Sequence, residues 1–125
     1  MARKEITVKD AVVAGPYSPG IDADGFIFLS GQAATDPATG TLIEGDISKQ
    51  TEQVFKNLFN VLAAAGLTPD AVQKVNVYLI DMNDFSAMNE VYKNQFAKPY
   101  PTRTTVAVSA LPMGARVEIE LIAKR

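Results

Sequence analysis

The sequence predicts an α+β protein in which two helices pack on one face of a mixed sheet. Three observations predict this fold class. The elements follow in the order β-β-β-α-β-α-β-β, strands flank each predicted helix, and both predicted helices have an apolar face. The chain has 125 residues, so we expect residues 1–125 to form a single domain with one hydrophobic core.

The N-terminal part of the chain combines short strands with turn-rich segments. Weak alternation predicts a strand over residues 3–8, and the aromatic and branched residues of "GFIFLSG" predict another over 25–30. Between them, "VVAGPYSPG" (12–20) carries two glycines and two prolines, which predicts a structured loop. Turn residues in "DPATGTLI" (36–43) then predict a hairpin-like excursion.

A helical period begins at Ser48. Apolar residues recur at helical spacing, polar residues lie largely opposite them, and Gly66 ends the pattern. The apolar positions are Val54, Leu58, Val61 and Ala65. This segment is therefore predicted to be an amphipathic helix.

The C-terminal part is predicted as strand, helix and two strands. Alternation in "AVQKVNVYLID" predicts a strand over 72–80. Asn83 or Asp81 can cap the second helix, which ends before the prolines of "AKPYPT". Its shared apolar face consists of Phe85, Met88, Tyr92 and Phe96. The last two strands are predicted at 103–109 and 116–123, with a turn at 111–114.

Both faces of the sheet are predicted to be apolar. Phe26 and Phe28 alternate with Ile27 and Leu29, so large apolar side chains occupy both parities of one strand. Helices would cover one face only. An exposed apolar face on a small protein is typical of a subunit interface, so we expect an oligomer.

Composition excludes several classes of function. The formal charge of −2 gives no electrostatic reason to expect nucleic acid or an anionic membrane as partner. The chain has no Cys and no His, which excludes a Cys/His zinc site, a Ser-His-Asp triad and a cysteine nucleophile. No phosphate-binding glycine motif, membrane-length apolar run or signal-peptide core occurs, and we expect a cytosolic protein.

Arg103 is the sharpest candidate for a ligand-binding residue. It follows "YPT" and leads into an apolar strand, so its guanidinium would be held against an apolar surface. A guanidinium held in this way can grip a carboxylate, and each charge-assisted hydrogen bond contributes roughly 1.5–3 kcal/mol when shielded from water. The alternative is an ordinary solvated arginine at a strand end.

Other candidates lie on the last strand and at two loops. Glu118 and Glu120 share one strand face. At least one of them is expected at an exposed edge, paired with Arg116 or Lys124. If the other faces a partly apolar interface, its pKa would be raised and it could transfer protons or hold a water. The braced loop "GPYSPG" would hold Tyr17 at a pocket rim. At the strand end "SGQ", Ser30 and Gly31 could offer backbone N–H groups to a ligand.

Together these segments resemble the RidA/YjgF family of small enamine and imine deaminases over nearly the whole chain. The matching stretches are "GPYSPG" (15–20), "FLSGQ" (28–32), "DFSAMNEVY" (84–92) and "PTRTTVAVSALPMGARVEIELIA" (101–123). The resemblance implies a chorismate-mutase-like fold of the bacillary type and a homotrimer with pockets between subunits. It also implies hydrolysis of 2-aminoacrylate-type enamines and imines, released by pyridoxal-phosphate enzymes, to 2-oxo acids and ammonia without a cofactor.

The resemblance also implies residue roles. Arg103 matches the arginine that binds the substrate carboxylate, Glu118 the glutamate that positions water or transfers protons, and Tyr17 the pocket tyrosine. Ser30, Gly31 and Asn89 match ligand-facing positions. Thr105 departs from the pattern, because many deaminase members have cysteine there; a threonine can still hydrogen-bond a ligand.

Two alternatives to this deaminase activity stay open at this point. The resemblance also covers chaperone-like, ribonuclease-like and metabolite-binding members, and the same pocket could bind 2-oxo acids without catalysis. The absence of a basic stripe and of histidines disfavours ribonuclease action. A different catabolic substrate, such as an aminomuconate-type compound, is the other alternative.

Overall fold

The computed structural model of the chain describes residues 3–9 and 13–125. Its strands are β1 (Lys4–Ile6), β2 (Gly20–Ala23), β3 (Phe26–Gln32), β4 (Val72–Leu79), β5 (Thr102–Ala107) and β6 (Val117–Lys124), and its helices are α1 (Ile47–Ala64) and α2 (Phe85–Tyr92). The element order is the predicted one. Residues 10–12, which include the start of the predicted 12–20 loop, lie outside the described part.

The six strands form one mixed sheet in the order β1-β2-β3-β6-β4-β5. All neighbouring pairs are antiparallel except β4 and β5, which run parallel and are joined through α2. The C-terminal strand β6 therefore lies in the middle of the sheet, and β5 forms one edge. This arrangement is the α+β fold that the sequence predicts.

One strand near the N-terminus was not predicted. The 36–43 segment is the predicted hairpin-like excursion, closed by one antiparallel bridge between Thr35 and Leu42, and it adds no strand to the sheet. The missing strand is β2, which starts at the last residue of the predicted loop and pairs with β3. The turn between β2 and β3 is Asp24-Gly25, and both residues have positive φ (59° and 91°), as a tight hairpin with right-handed strand twist requires.

The helix α1 begins at Ile47, one residue before the predicted start of the helical period at Ser48. Asp46 is the N-cap, and its carboxylate accepts a hydrogen bond from the Lys49 N–H at 3.0 Å. The predicted apolar face, which includes Val54 and Leu58, is buried against the sheet. Gly66, with φ of 77°, follows the end of the helix as predicted.

The helix α2 ends at Tyr92, whereas the predicted apolar face extends to Phe96. Asp81 caps the preceding 3₁₀ turn by accepting from the Asn83 N–H at 2.9 Å, and α2 itself ends at Tyr92. Phe96 continues the buried face beyond the helix and packs on Tyr92 with ring centroids 5.3 Å apart. The predicted apolar face is thus preserved although its last residue is not helical.

The hydrophobic core lies between the two helices and one face of the sheet. Alternate strand residues such as Ile27, Val77 and Ile119 are fully buried there. On the opposite face, the side chains of Phe26 and Phe28 remain 44% and 46% exposed. The prediction of apolar side chains on both faces is confirmed, and this second face, called the open face below, has no helix over it within the described residues. In the same described part, no helix has both the length and the apolar character needed to cross a membrane.

A buried ion pair joins the start of α2 to the start of β6. The Asp84 carboxylate, whose side chain is 10% exposed, accepts from Arg116 Nη2 at 2.7 Å and from Arg116 Nε at 3.3 Å. We expect Arg116→Met to lower the free energy of unfolding by about 1–3 kcal/mol, because it leaves a buried carboxylate without its partner. Urea unfolding at fixed protein concentration measures this loss.

Two control variants sharpen this stability prediction. Lys93→Met removes the exposed Lys93–Glu90 pair and should leave the unfolding free energy nearly unchanged. Adding Asp84→Asn to Arg116→Met should recover part of the loss, because no buried charge is then unpaired. Equal effects of Arg116→Met and Lys93→Met would contradict a role for burial.

Candidate active site

The strand register places the predicted site residues on two opposite faces of the sheet. In the parallel pair β4/β5, Arg103 and Thr105 lie beside Val75 and Val77, which face the helices. In the antiparallel pair β4/β6, Glu118 lies beside Tyr78, on the open face. Side chains at paired positions point to the same side of a sheet. Arg103 and Glu118 of one chain therefore point to opposite sides.

On the helix side, α2 holds the guanidinium of Arg103. Arg103 Nη1 donates to Asn89 Oδ1 at 2.7 Å, and the guanidinium carbon lies 4.5 Å from the ring centroid of Tyr92 and 5.6 Å from that of Phe85. Arg103 is half-buried. It is therefore not the freely solvated strand-end arginine of the simpler interpretation. Asn89, implied to face a ligand, has its side-chain oxygen directed at Arg103.

Two buried hydroxyl groups lie close to this arginine in the fold. Neither Thr105 Oγ1 nor Tyr92 Oη has a hydrogen-bond partner among residues 3–9 and 13–125. Burial raises the pKa of the Tyr92 phenol, against a smaller opposite effect of the Arg103 charge. The phenol beside the guanidinium thus stays neutral.

On the open face, Glu118 lies against the strand end of β3. A Cβ atom added to Gly31 would come within 3.0 Å of Glu118 Oε2, so the close approach of this carboxylate depends on glycine at position 31. Burial, together with the charge of Glu120, raises the pKa of Glu118 above the ordinary carboxyl value. A carboxyl group with a raised pKa is suited to accepting and returning protons near neutral pH.

Glu120 is held in a different way. Tyr78 Oη and Asn76 Nδ2 both donate to Glu120 Oε1. The prediction that Glu118 or Glu120 pairs with Arg116 or Lys124 at an exposed edge is wrong. β6 is an interior strand of the sheet. Arg116 instead binds Asp84, and the Lys124 ammonium lies over the ring of Phe26. Two carboxylates on one strand face thus have distinct environments, one hydrogen-bonded and one desolvated.

The loop before β2 places Tyr17 at a cavity that Ser30 of β3 and Glu118 of β6 also line. The Tyr17 N–H donates to the Gly15 carbonyl at 2.9 Å, and Ser30 Oγ donates to the Ser18 carbonyl at 2.7 Å, which ties the loop to β3. A cavity of about 470 Å³ is lined here by Tyr17, Ser30, Gly31 and Glu118, with Val13 and Met113 among its apolar walls. This cavity gathers four of the predicted site residues.

A larger cavity of about 790 Å³ lies over the open face. Tyr17 and Ser30 line it as well, together with Phe28, Asn76 and Glu120. Glu118 faces the smaller cavity, which makes that one the better candidate for chemistry. In the described part of the chain, neither cavity includes Arg103, Asn89 or Thr105.

One chain therefore carries two groups of site residues, a basic one and an acidic one. The basic group is Arg103 with Asn89 and Thr105, and the acidic group is Glu118 with Tyr17, Ser30 and Gly31. Sequence reasoning missed Tyr92 and Phe85 as neighbours of Arg103. The spacing of Phe85, Asn89 and Tyr92 at i, i+4 and i+7 shows that they share one face of α2, but it does not show that this face meets Arg103. Within the described residues, no three acidic side chains come together as metal ligands would.

The effect of Glu120 on Glu118 can be tested by titration. We expect Glu120→Gln to lower the pKa of Glu118, because it removes the neighbouring negative charge while an amide oxygen can still accept from Tyr78. Carbon NMR of the glutamate carboxyl groups measures the titration midpoint directly. Glu52→Gln, on the exposed side of α1, is the control and should leave the midpoint unchanged. A midpoint that does not move in Glu120→Gln would show that the two carboxylates are not coupled.

Comparison with known proteins gives consistent matches over the whole fold. Residues 8–125 match the profile of the family described as Endoribonuclease L-PSP. A RutC family protein of Pyrococcus horikoshii is 50% identical over 87% of this chain and 86% of its own length. The 2-iminobutanoate/2-iminopropanoate deaminase of Mus musculus is 44% identical over 94% of this chain and 87% of its own length. The crystal structure of RidA from an Antarctic Psychrobacter has a TM-score of 0.93 at 40% identity, covering 98% of this chain and all of that one (100%).

Proposed function

The chain belongs to the RidA/YjgF family, and on that premise we propose that it hydrolyses 2-aminoacrylate-type enamines and imines to 2-oxo acids and ammonia. The observation that supports this proposal most strongly is the environment of the Arg103 guanidinium. Its guanidinium is half-buried and held by Asn89, yet none of the described residues offers it a carboxylate within salt-bridge distance. A held guanidinium with free N–H groups fits the carboxylate of a small 2-imino acid.

The proposed reaction needs binding, one water and proton transfer. Arg103 holds the substrate carboxylate, with Asn89 and Thr105 beside it. An enamine first becomes the iminium by taking a proton from solvent at its terminal carbon. Ionised Glu118 takes a proton from a water as the water oxygen bonds to the iminium carbon, and the C=N electron pair moves to nitrogen to give a neutral carbinolamine. Glu118 passes this proton to the nitrogen, the C–N bond breaks and ammonia leaves, and the hydroxyl group loses its proton to Glu118 as the carbonyl of the 2-oxo acid forms. The imine carbon is already electrophilic, so positioning and proton transfer are sufficient and no cofactor takes part.

The site is proposed to form between two copies of the chain. Arg103 and Glu118 point to opposite sides of one sheet, so a small substrate in a single chain cannot reach both. If the open face packs on a neighbouring copy, the basic group of one copy can meet the acidic group of the other. The exposed Phe26 and Phe28 provide an apolar surface for such packing. A closed homotrimer, which the family resemblance implies, would repeat this site at each interface.

The physiological substrates are proposed to be the unstable products of pyridoxal-phosphate enzymes that act on amino acids such as serine and threonine. The name of the mouse relative supports the imines of three- and four-carbon 2-oxo acids. We keep cytosolic location as a prediction. Thr105 offers a hydroxyl where many members have a thiol, and the substrate preference of this chain can differ for that reason.

A competition assay tests the proposal. An amino-acid oxidase generates 2-iminopropanoate from alanine, semicarbazide traps the free imine, and the rate of semicarbazone formation is followed with and without the protein. We expect the wild type to suppress semicarbazone formation, whereas Arg103→Ala, checked to be folded and of the same oligomeric state, should not. If the wild type has no effect with imines of several amino acids but binds pyruvate, a binding role replaces the enzymatic one.

A further inference from the structure

The ring of Tyr92 lies under the guanidinium of Arg103. The guanidinium carbon is 4.5 Å from the ring centroid, which is closer than its 5.6 Å distance to the ring of Phe85. Asn89 lies one helical turn before Tyr92 and accepts from the same guanidinium at 2.7 Å. α2 thus contacts Arg103 both through a ring face and through a hydrogen bond.

The two contacts restrain different motions of the guanidinium. The hydrogen bond to Asn89 fixes one nitrogen, but a planar group held at one atom can still rotate about that contact. An aromatic face beneath the group restrains the orientation of its plane, because guanidinium groups stack on aromatic rings. The orientation of the plane decides where the remaining N–H groups point.

Tyr92 is itself firmly held in the core. Its ring packs edge-on against Phe55, with ring centroids 5.6 Å apart, and in a tilted geometry against Phe96 at 5.3 Å; Phe55 is fully buried. A ring fixed by core packing provides a stable surface for the charge above it. The hydroxyl group takes no part in this contact network, because Tyr92 Oη has no partner among the described residues.

We propose that Tyr92 is a positioning residue for Arg103: its ring face orients the guanidinium so that the N–H groups not used by Asn89 meet the substrate carboxylate. This inference rests on the proposed function, because it takes Arg103 as the carboxylate anchor. It assigns the effect to the aromatic ring and not to the hydroxyl group. Phenylalanine at this position should therefore serve as well as tyrosine, while an aliphatic side chain should not.

Three variants test the proposal with pyruvate, the carboxylate product of 2-iminopropanoate hydrolysis, as the probe. Tyr92→Leu should weaken pyruvate binding about five- to tenfold, the size of effect expected when an aromatic face under a partly buried cation is lost. Tyr92→Phe keeps the ring and should retain the wild-type affinity. Phe96→Leu removes a neighbouring ring of the same cluster and serves as the control for general loosening of the core. It should destabilise the protein and weaken pyruvate binding less than Tyr92→Leu does, because Tyr92 keeps its packing on Phe55.

Affinity from NMR titration is combined with a readout on Arg103 itself. The side-chain Nε–H signal of Arg103, assigned with Arg103→Lys, should change its ring-current shift in Tyr92→Leu but not in Phe96→Leu. If the wild type binds pyruvate and the two variants Tyr92→Leu and Phe96→Leu have the same pyruvate affinity as each other, this inference alone is overturned. A wild type that neither binds pyruvate nor accelerates imine loss would overturn the proposed function, and this inference with it.

Discussion

Replacing Arg103 by alanine is expected to lower kcat/KM for 2-iminopropanoate about a hundred- to ten-thousandfold, the loss expected for two charge-assisted hydrogen bonds to a carboxylate. The loss should fall mainly on substrate binding and orientation, because Arg103 is proposed to bind the carboxylate and not to act on the reacting carbon. The competition assay with semicarbazide measures it, with spontaneous imine hydrolysis subtracted.

Arg103→Lys is the matched variant for this prediction. It keeps the positive charge but loses the planar fork and the stacking on Tyr92, so its kcat/KM should lie between those of wild type and Arg103→Ala. Both variants are first checked for folding and oligomeric state, since the arginine lies on an edge strand packed against α2. Wild-type activity in a folded Arg103→Ala would show that another group holds the substrate.

Replacing Glu118 by glutamine is expected to lower kcat about a hundred- to ten-thousandfold, the range typical of losing a general acid–base group. The substitution keeps the shape of the side chain next to Gly31, so KM should change little. The pKa of Glu118 is raised by burial and by Glu120. In the proposed reaction, the ionised form of Glu118 accepts a proton from water. Wild-type activity should therefore fall as pH drops through this raised pKa, at a higher pH than for an ordinary carboxyl group.

The pH profile separates a chemical role of Glu118 from a structural one. The residual activity of Glu118→Gln should no longer fall at acidic pH, apart from the pH dependence of the uncatalysed reaction. Glu120→Gln should move the acidic limb of the profile to lower pH, in parallel with the titration of Glu118. An acidic limb that persists unchanged in Glu118→Gln would assign the titration to another group.

The helices were predictable because their signal is local. The apolar residues of α1 and α2 recur at the helical period and are buried as expected, including Leu58 and Met88. Strand β2 was missed although its signal was present in the sequence. Asp24-Gly25 between alternating apolar residues is a strong hairpin signal, but the glycines and prolines just before it favoured a loop through Gly20.

The placement of Arg103 and Glu118 on opposite faces of the sheet could not be predicted from the sequence. Alternation shows that Glu118 and Glu120 share a face, but it does not show how that face is related to the face that carries Arg103. The relation depends on the parallel register between β4 and β5 together with the antiparallel register between β4 and β6, and both are tertiary pairings. The contact between Arg103 and Tyr92 depends on the same tertiary arrangement.

The most direct test of the account mixes two inactive variants. Arg103→Ala and Glu118→Gln chains are co-expressed in equal amounts, the mixed oligomers are purified, and imine loss is measured at the same total concentration as for each variant alone. If each site combines Arg103 of one copy with Glu118 of its neighbour, random assembly into cyclic trimers restores both residues in about a quarter of the sites. We predict that about a quarter of wild-type activity returns. Activity no greater than the average of the two parent variants would contradict the shared site.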